Sequence, residues 1–273
     1  MTYSGVSPSA GRDASLGRGD YPVAARYYHL MQRRRFLARM GAAVGGIGAV
    51  VGTEMNGVVG GAQRRGPYRE PVVTSPAIRR WTLEEKRTDR TVIRAGGRSF
   101  GDAYTSTLIY KDARLASGLD RYVRGNFEGI VGAFMATRVT FDSPLSILAQ
   151  PSLVTGIAKE RFERNLRRLG FSDIRERPPS ERETTAEQAV AEYEADYDAS
   201  EYIERPNSPA YRLPSVTPDG RVKTILYLEV LKPGETLLFT AGIRPTDELL
   251  RVVFDRDGDA YRAELLRLMH DVK

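Results

Sequence analysis

The sequence predicts an α+β fold: a single domain, mainly an antiparallel sheet packed by two to four helices, placed after an N-terminal signal segment. Three observations predict it. Residues 222–231 and 235–243 are rich in β-branched, aromatic and leucine side chains and are joined by Lys232-Pro233-Gly234, a turn signal that makes consecutive strands pair as a hairpin. Residues 152–169 place Val154, Ile157, Ala158, Phe162, Leu166 and Leu169 at three- and four-residue steps, the stripe of an amphipathic helix. Strands follow one another without a helix between each pair, which points to hairpins and an antiparallel sheet.

Before that domain lies a stretch of different character. Gln32-Arg33-Arg34-Arg35-Phe36-Leu37 is followed, from Gly41 to Gly52, by small apolar residues, five of them glycine. A basic cluster before a short apolar run is the order of an export signal, and the run is shorter than the roughly 20 apolar residues a membrane-spanning helix needs. Arg33, Arg34, Phe36 and Leu37 match the twin-arginine pattern, an address read by a translocase. The glycines argue against a buried helix, at about 1 kcal/mol each relative to alanine. Residues 31–62 are therefore read as the signal, with Gly60-Gly61-Ala62 a small-residue cleavage site. Residues 1–30 are a disordered leader or a start assigned too early, with Met31 the initiator. Residues 63–79 read as a linker and residues 80–273 as the domain, opened by Trp81.

Charge sharpens the division. The chain carries 41 basic and 35 acidic residues, a net charge of +6. Residues 1–70 hold ten arginines and four acids, which leaves 31 of each sign in the body. The basic excess thus belongs to the signal region, and the body has no footprint for nucleic acid. There is no cysteine. Disulfides, thiolate metal sites and a lipid-modified cysteine are excluded.

Within the domain, residues 105–110 read as a strand and 112–126 as a helix with Leu115, Leu119, Tyr122 and Val123 on one face. Residues 131–141 alternate and read as a strand with one buried face. Gly170 ends the 152–169 helix, whose other face carries Lys159, Arg161, Glu163, Arg164 and Arg167 toward solvent. Residues 184–204 fit helix by composition or strand by Val190, Tyr193, Tyr197 and Tyr202. Residues 207–220 form a Pro-rich loop. Residues 246–254 and 259–272 read as closing helices, the second with Tyr261, Leu265, Leu268 and Met269 inward.

Candidate chemistry is sparse. The segment Arg94-Ala95-Gly96-Gly97-Arg98-Ser99-Phe100-Gly101-Asp102-Ala103 resembles the phosphate loop of flavin oxidases of the vanillyl-alcohol oxidase type. That resemblance implies a flavin held by Gly96, Gly97, Arg98, Ser99, Gly101 and Asp102, since glycine lets backbone amides approach phosphate. A turn between strands explains the same glycines, and Arg98 and Asp102 can then pair across it. Asp255-Arg256-Asp257-Gly258-Asp259 with Glu264 departs from the spacing of a calcium loop and reads as an interhelical loop with Asp259 as helix cap. The only histidines, His29 and His270, lie before the signal and beside the C-terminus, away from any visible triad or zinc set. Glu128, Asp142, Glu160 and Asp173 have no partner visible in the sequence. No catalytic residue, metal ligand or cofactor is expected.

The chain also resembles a group of uncharacterised exported proteins of haloarchaea. The likeness rests on residues 33–37, 105–112, 132–142, 161–174, 237–245 and 259–272, taken in order. It implies passage through the twin-arginine translocase and assigns no activity. The neutral body and the missing lipid-attachment cysteine depart from that group. The expectation is an exported cell-envelope protein with a binding or structural role, released or retained at the membrane through residues 41–52. The alternatives are a flavin-binding oxidoreductase fragment and a cytoplasmic protein with a hydrophobic arm.

Overall fold

The structure, a computed structural model, describes residues 68–95, 98–123, 131–142, 151–178, 190–200, 202–203, 209–233 and 235–273. Seven strands form one sheet: β1 (Thr82–Ala95), β2 (Arg98–Lys111), β3 (Ala133–Phe141), β4 (Phe171–Arg177), β5 (Ala191–Asp198), β6 (Arg221–Leu231) and β7 (Leu237–Pro245). The spatial order is β1-β2-β3-β7-β6-β5-β4, and every neighbouring pair is antiparallel. Four α-helices accompany it among the described residues: α1 (Ala113–Leu119), α2 (Pro151–Arg168), α3 (Asp247–Phe254) and α4 (Gly258–His270). An α+β domain with an antiparallel sheet is what the sequence predicts.

Helices cover both faces of the sheet. Along β3, Ala133, Met135 and Val139 point to the core shared with α2, and Phe134 and Ala136 to the core shared with α4. Residues 131–141, expected to bury one face, thus bury two. The same division holds for β6, where Leu226 and Leu228 oppose Ile225 and Tyr227, and for β7, where Phe239 opposes Leu238. Strands buried on both sides read as near-continuous apolar runs, as 225–228 and 237–239 do. Each fully buried large side chain in them contributes about 1.5–3 kcal/mol.

The stripe of α2 docks as expected, with Val154, Ala158, Phe162 and Leu166 buried and the Phe162 ring 5.6 Å from that of Tyr193. Gly170 follows the helix at φ +90°, the left-handed conformation that glycine adopts without strain. On the other face α4 lies close over β7. A Cβ built on Gly242 would stand 2.8 Å from Leu265 Cγ and Cδ2, so the missing side chain is what admits the helix. α3 turns at the end of the sheet and feeds both cores, Leu249 and Val253 into one and Leu250 into the other.

Several boundaries move. The helix expected over 112–126 ends at Leu119, and Asp112 is its N-cap, accepting from the backbone N–H of Arg114 (3.0 Å) and Leu115 (3.3 Å). Residues 124–126 lie outside the described residues. The ambiguous stretch resolves to strand over Ala191–Asp198. Of the Pro-rich loop, Pro209–Arg212 forms a 3₁₀ turn. Packing also reaches into the stretch read as a linker. Val72 donates to the Lys273 carbonyl (2.7 Å), Lys273 returns the bond to Val72 (2.9 Å), and Thr74 donates to Asp271 (2.8 Å). Ser75 is buried, and Pro76–Arg80 forms a 3₁₀ turn leading into buried Trp81.

Candidate functional site

Polar side chains concentrate where α4 meets the sheet, in three constellations. The first centres on Glu229 of β6, which is 1 % exposed. Its Oε2 accepts from the Thr240 hydroxyl on neighbouring β7 (3.1 Å), and its Oε1 lies 2.8 Å from His270 Nδ1 in the last turn of α4. A carboxylate taken out of water costs several kcal/mol unless partnered, and here each oxygen has a partner. A protonated imidazole at a helix C-terminus is also favoured by the helix dipole. The Thr240 hydroxyl bonds the carboxylate rather than the imidazole, so the order is not that of a nucleophilic triad.

The second constellation holds Arg244, which is 4 % exposed. Its Nε donates to the Tyr227 hydroxyl (3.0 Å), and its Nη1 donates to the Pro245 carbonyl (3.1 Å) and to Asp247. Burial alone pulls its pKa down, and the Tyr227 and Asp247 contacts outweigh that and raise it. Burial pushes the Tyr227 hydroxyl up despite the guanidinium beside it. The Arg262 guanidinium of α4 lies 5.9 Å from the centre of the Tyr227 ring and reaches Glu192 of β5 at 3.4 Å.

The third ties chain-distant segments together through Arg256, between α3 and α4. Its Nη1 donates to Asp112 (3.4 Å) and its Nη2 to Glu264 (3.1 Å), with the guanidinium 4.6 Å from the centre of the Tyr261 ring. Glu264 also accepts from Trp81 Nε1 (3.2 Å) and pairs with Arg80. Tyr261 is wholly buried, and burial, reinforced by the Asp112 charge, raises its hydroxyl well above the ordinary range. Arg256 also borders a shallow open concavity of about 690 Å³ between Asp247, Arg251, Asp255 and Asp257.

The residues singled out in the sequence are scattered. Arg98, Ser99, Gly101 and Asp102 lie in β2, hydrogen-bonded into a hairpin with β1. Gly101, at φ 151°, sits at a bulge where Ser99 pairs Arg94 and Gly101 pairs Ile93. Asp102 is held by Arg90 and lies 3.5 Å from the Tyr104 hydroxyl. Gly96 and Gly97 lie outside the described residues, as do Arg33, Arg34, Phe36, Leu37, His29, Glu128 and the run from 41 to 52. Glu160 pairs with Arg164 one helical turn away, and Asp173, at φ 50° in β4, lies 3.5 Å from Arg221. Asp142 is exposed and donates its backbone N–H to the Asp102 carbonyl.

In the 255–259 loop the cap is Asp257, not Asp259: its carboxylate accepts from Asp259 N (2.7 Å) and Ala260 N (3.2 Å), and α4 starts at Gly258. A Cβ on Gly258 would meet the Asp247 carboxylate at 2.1 Å, so the chain turns there hard against α3. Among the described residues no group of three or more His, Cys, Asp or Glu could hold a metal ion, and no helix is long and apolar enough to cross a membrane. Glu229 and His270 stand 41 residues apart in sequence, and no spacing rule joins them. No family model, no curated protein and no solved structure matches the chain.

Proposed function

We propose that this chain is an exported cell-envelope protein whose folded domain binds or scaffolds outside the cytoplasm, released or retained through residues 41–52. The reading is carried by Arg33-Arg34-x-Phe36-Leu37 before a glycine-rich apolar run, followed by a domain closed on itself at its ends. The hydrogen bonds between residues 72–74 and 271–273 begin some twenty residues beyond that run. A signal placed there can be read, or removed, without touching the core. The three polar constellations support a binding or structural role, because their charges are satisfied largely by one another, as in groups that fix a fold.

The test is export. Lysine does not reproduce the planar fork of arginine. With Arg33 and Arg34 both changed to Lys, the precursor accumulates in the cytoplasm, while the unchanged chain appears in the extracytoplasmic or membrane fraction. Equal appearance of both outside the cytoplasm refutes the proposal.

A further inference from the structure

The end of α4 joins the Glu229 constellation to the stretch that enters the domain. His270 is the last residue of the helix, and the three residues after it hold residues 72–74. Val72 and Lys273 exchange backbone hydrogen bonds, and Val73 and Val272 form the bridge between them. The Asp271 carbonyl accepts both the Thr74 N–H (2.8 Å) and the Thr74 hydroxyl (2.9 Å). Val272 is buried, whereas Val72 is 56 % exposed. A clasp of this size, between short segments, opens at lower cost than the core.

One titratable contact fixes the helix end beside the clasp. His270 Nδ1 lies 2.8 Å from Glu229 Oε1, and Thr240 holds Oε2. The Glu229 side chain is shut away from water, while that of His270 is 30 % exposed and can exchange its proton with solvent. Other charged groups border the pair. Arg138 of β3 shares this face of the sheet, opposite Leu238; Arg267 lies one turn back on α4; Asp271 and Lys273 follow in the clasp, and Arg69 and Glu70 precede it. Arginine, lysine and carboxylate side chains ordinarily keep their charge between about pH 5.5 and 8.5, and histidine does not. The chain's other histidine is His29.

We propose that the Glu229–His270 pair is a pH-sensitive latch on this clasp. With the imidazole charged, the pair holds the end of α4 on the sheet, and with it residues 271–273 and 72–74. With the imidazole neutral, the contact drops from a charge-assisted bond to an ordinary one, about half as strong, and the clasp opens more readily. The sign follows from the partner. An imidazole that gains a carboxylate on folding keeps its proton to higher pH than in the unfolded chain. The contribution is therefore complete below about pH 6.5 and is lost as pH rises through the folded value. The stretch set free bears on how the domain is tethered. At about 3.3–3.6 Å per extended residue, residues 68–74 add roughly 20–25 Å of reach between the packed domain and the chain before it. The latch belongs to the packed domain and does not rest on export.

The experiment uses the full chain. Hydrogen exchange, corrected for its intrinsic pH dependence, is followed at pH 5.5 and 8.5 for the unchanged protein, His270→Gln and Glu229→Gln. In the unchanged chain the protection of the Val72, Thr74 and Lys273 amides falls about tenfold from the lower to the higher pH, the difference between a charge-assisted and a neutral bond. The pair is broken in global unfolding as well, so the slowest amides of β6 and β7 fall by the same factor. His270→Gln keeps a side-chain donor that does not titrate, and the fall at the clasp disappears. Burial raises the carboxyls of Glu85 and Asp196, and any response they give persists in that variant. Glu229→Gln also removes the fall, and it moves the His270 ring titration, read by NMR, to lower pH. Should Glu229→Gln fail to fold, the His270→Gln arm decides, since that position is partly exposed. Equal clasp protection at both pH values, an undiminished fall in His270→Gln, or a fall confined to the sheet amides overturns the proposal.

Discussion

Replacing Gly242 by alanine tests how α4 is seated. The added Cβ lands 2.8 Å from two atoms of Leu265, which is wholly buried and has nowhere to move. Overpacking of this kind costs about 1–3 kcal/mol, partly offset by about 0.4–1 kcal/mol from a stiffer unfolded chain. Leu265→Ala alone opens a cavity and costs about 2–5 kcal/mol. Combined, the two changes relieve each other, because the new methyl group enters space that Leu265 has vacated. The double variant should therefore fall short of the summed losses by about 1–3 kcal/mol, well beyond the roughly 0.5 kcal/mol within which independent sites add. Gly156→Ala is the control. It lies exposed on α2 with no atom within 4 Å of the new Cβ, so the same substitution should stabilise by about 1 kcal/mol. In a domain of this size each kcal/mol shifts the melting temperature by about 2–4 °C. Thermal melts of the five proteins read the cycle. Additive losses at Gly242 and Leu265 would refute the close seating of the helix on β7.

Two further outcomes follow from named groups. Burial raises the hydroxyls of Tyr193, Tyr227 and Tyr261. Below pH about 10 both folded and unfolded chains keep these protons; above it only the folded chain does, so stability falls by about 1.4 kcal/mol per pH unit per group. A phenolate absorbance titration should show Tyr193 and Tyr261 ionising only with unfolding, and a smooth titration of every tyrosine in the intact fold would contradict this. Asp257→Ala should cost about 1 kcal/mol in a denaturant melt as a lost N-cap, against a few tenths for Asp259→Ala; equal losses would return the cap to Asp259.

How far the sequence reveals this fold depends on what each segment faces. The α2 stripe and the β6–β7 hairpin are legible because one partner surface dictates each pattern. The segment that becomes β1, Thr-Leu-Glu-Glu-Lys-Arg-Thr-Asp-Arg-Thr-Val-Ile-Arg-Ala, carries little apolar periodicity, because an edge strand with charged side chains needs little. The same holds for β4 at the other edge, with its Arg175-Glu176-Arg177. In β5, Ala-Glu-Tyr-Glu-Ala-Asp-Tyr-Asp alternates strictly, and its alanines and glutamates mask that with helix propensity. Capping is legible in kind but not to the residue, as Asp257 shows. The polar constellations are not legible. They depend on contacts between elements far apart in the chain, as when α4 docks on the sheet and sets His270 beside Glu229.

That strand order has a bearing on manufacture and failure. β1–β3 and β4–β6 are each simple meanders, and within the sheet they meet only through β7. β7 begins at Leu237, after the other six strands, so both meanders are made before the two halves can be joined. Until then β3 and β6 present apolar, unpaired edges, the template for pairing with other copies. A chain cut short before Leu237 carries both open edges permanently and should aggregate rather than lose a little stability. A peptide spanning 237–273, added in trans, should rescue it by strand complementation. In that sense the last segment acts as a chaperone strand that the protein supplies to itself.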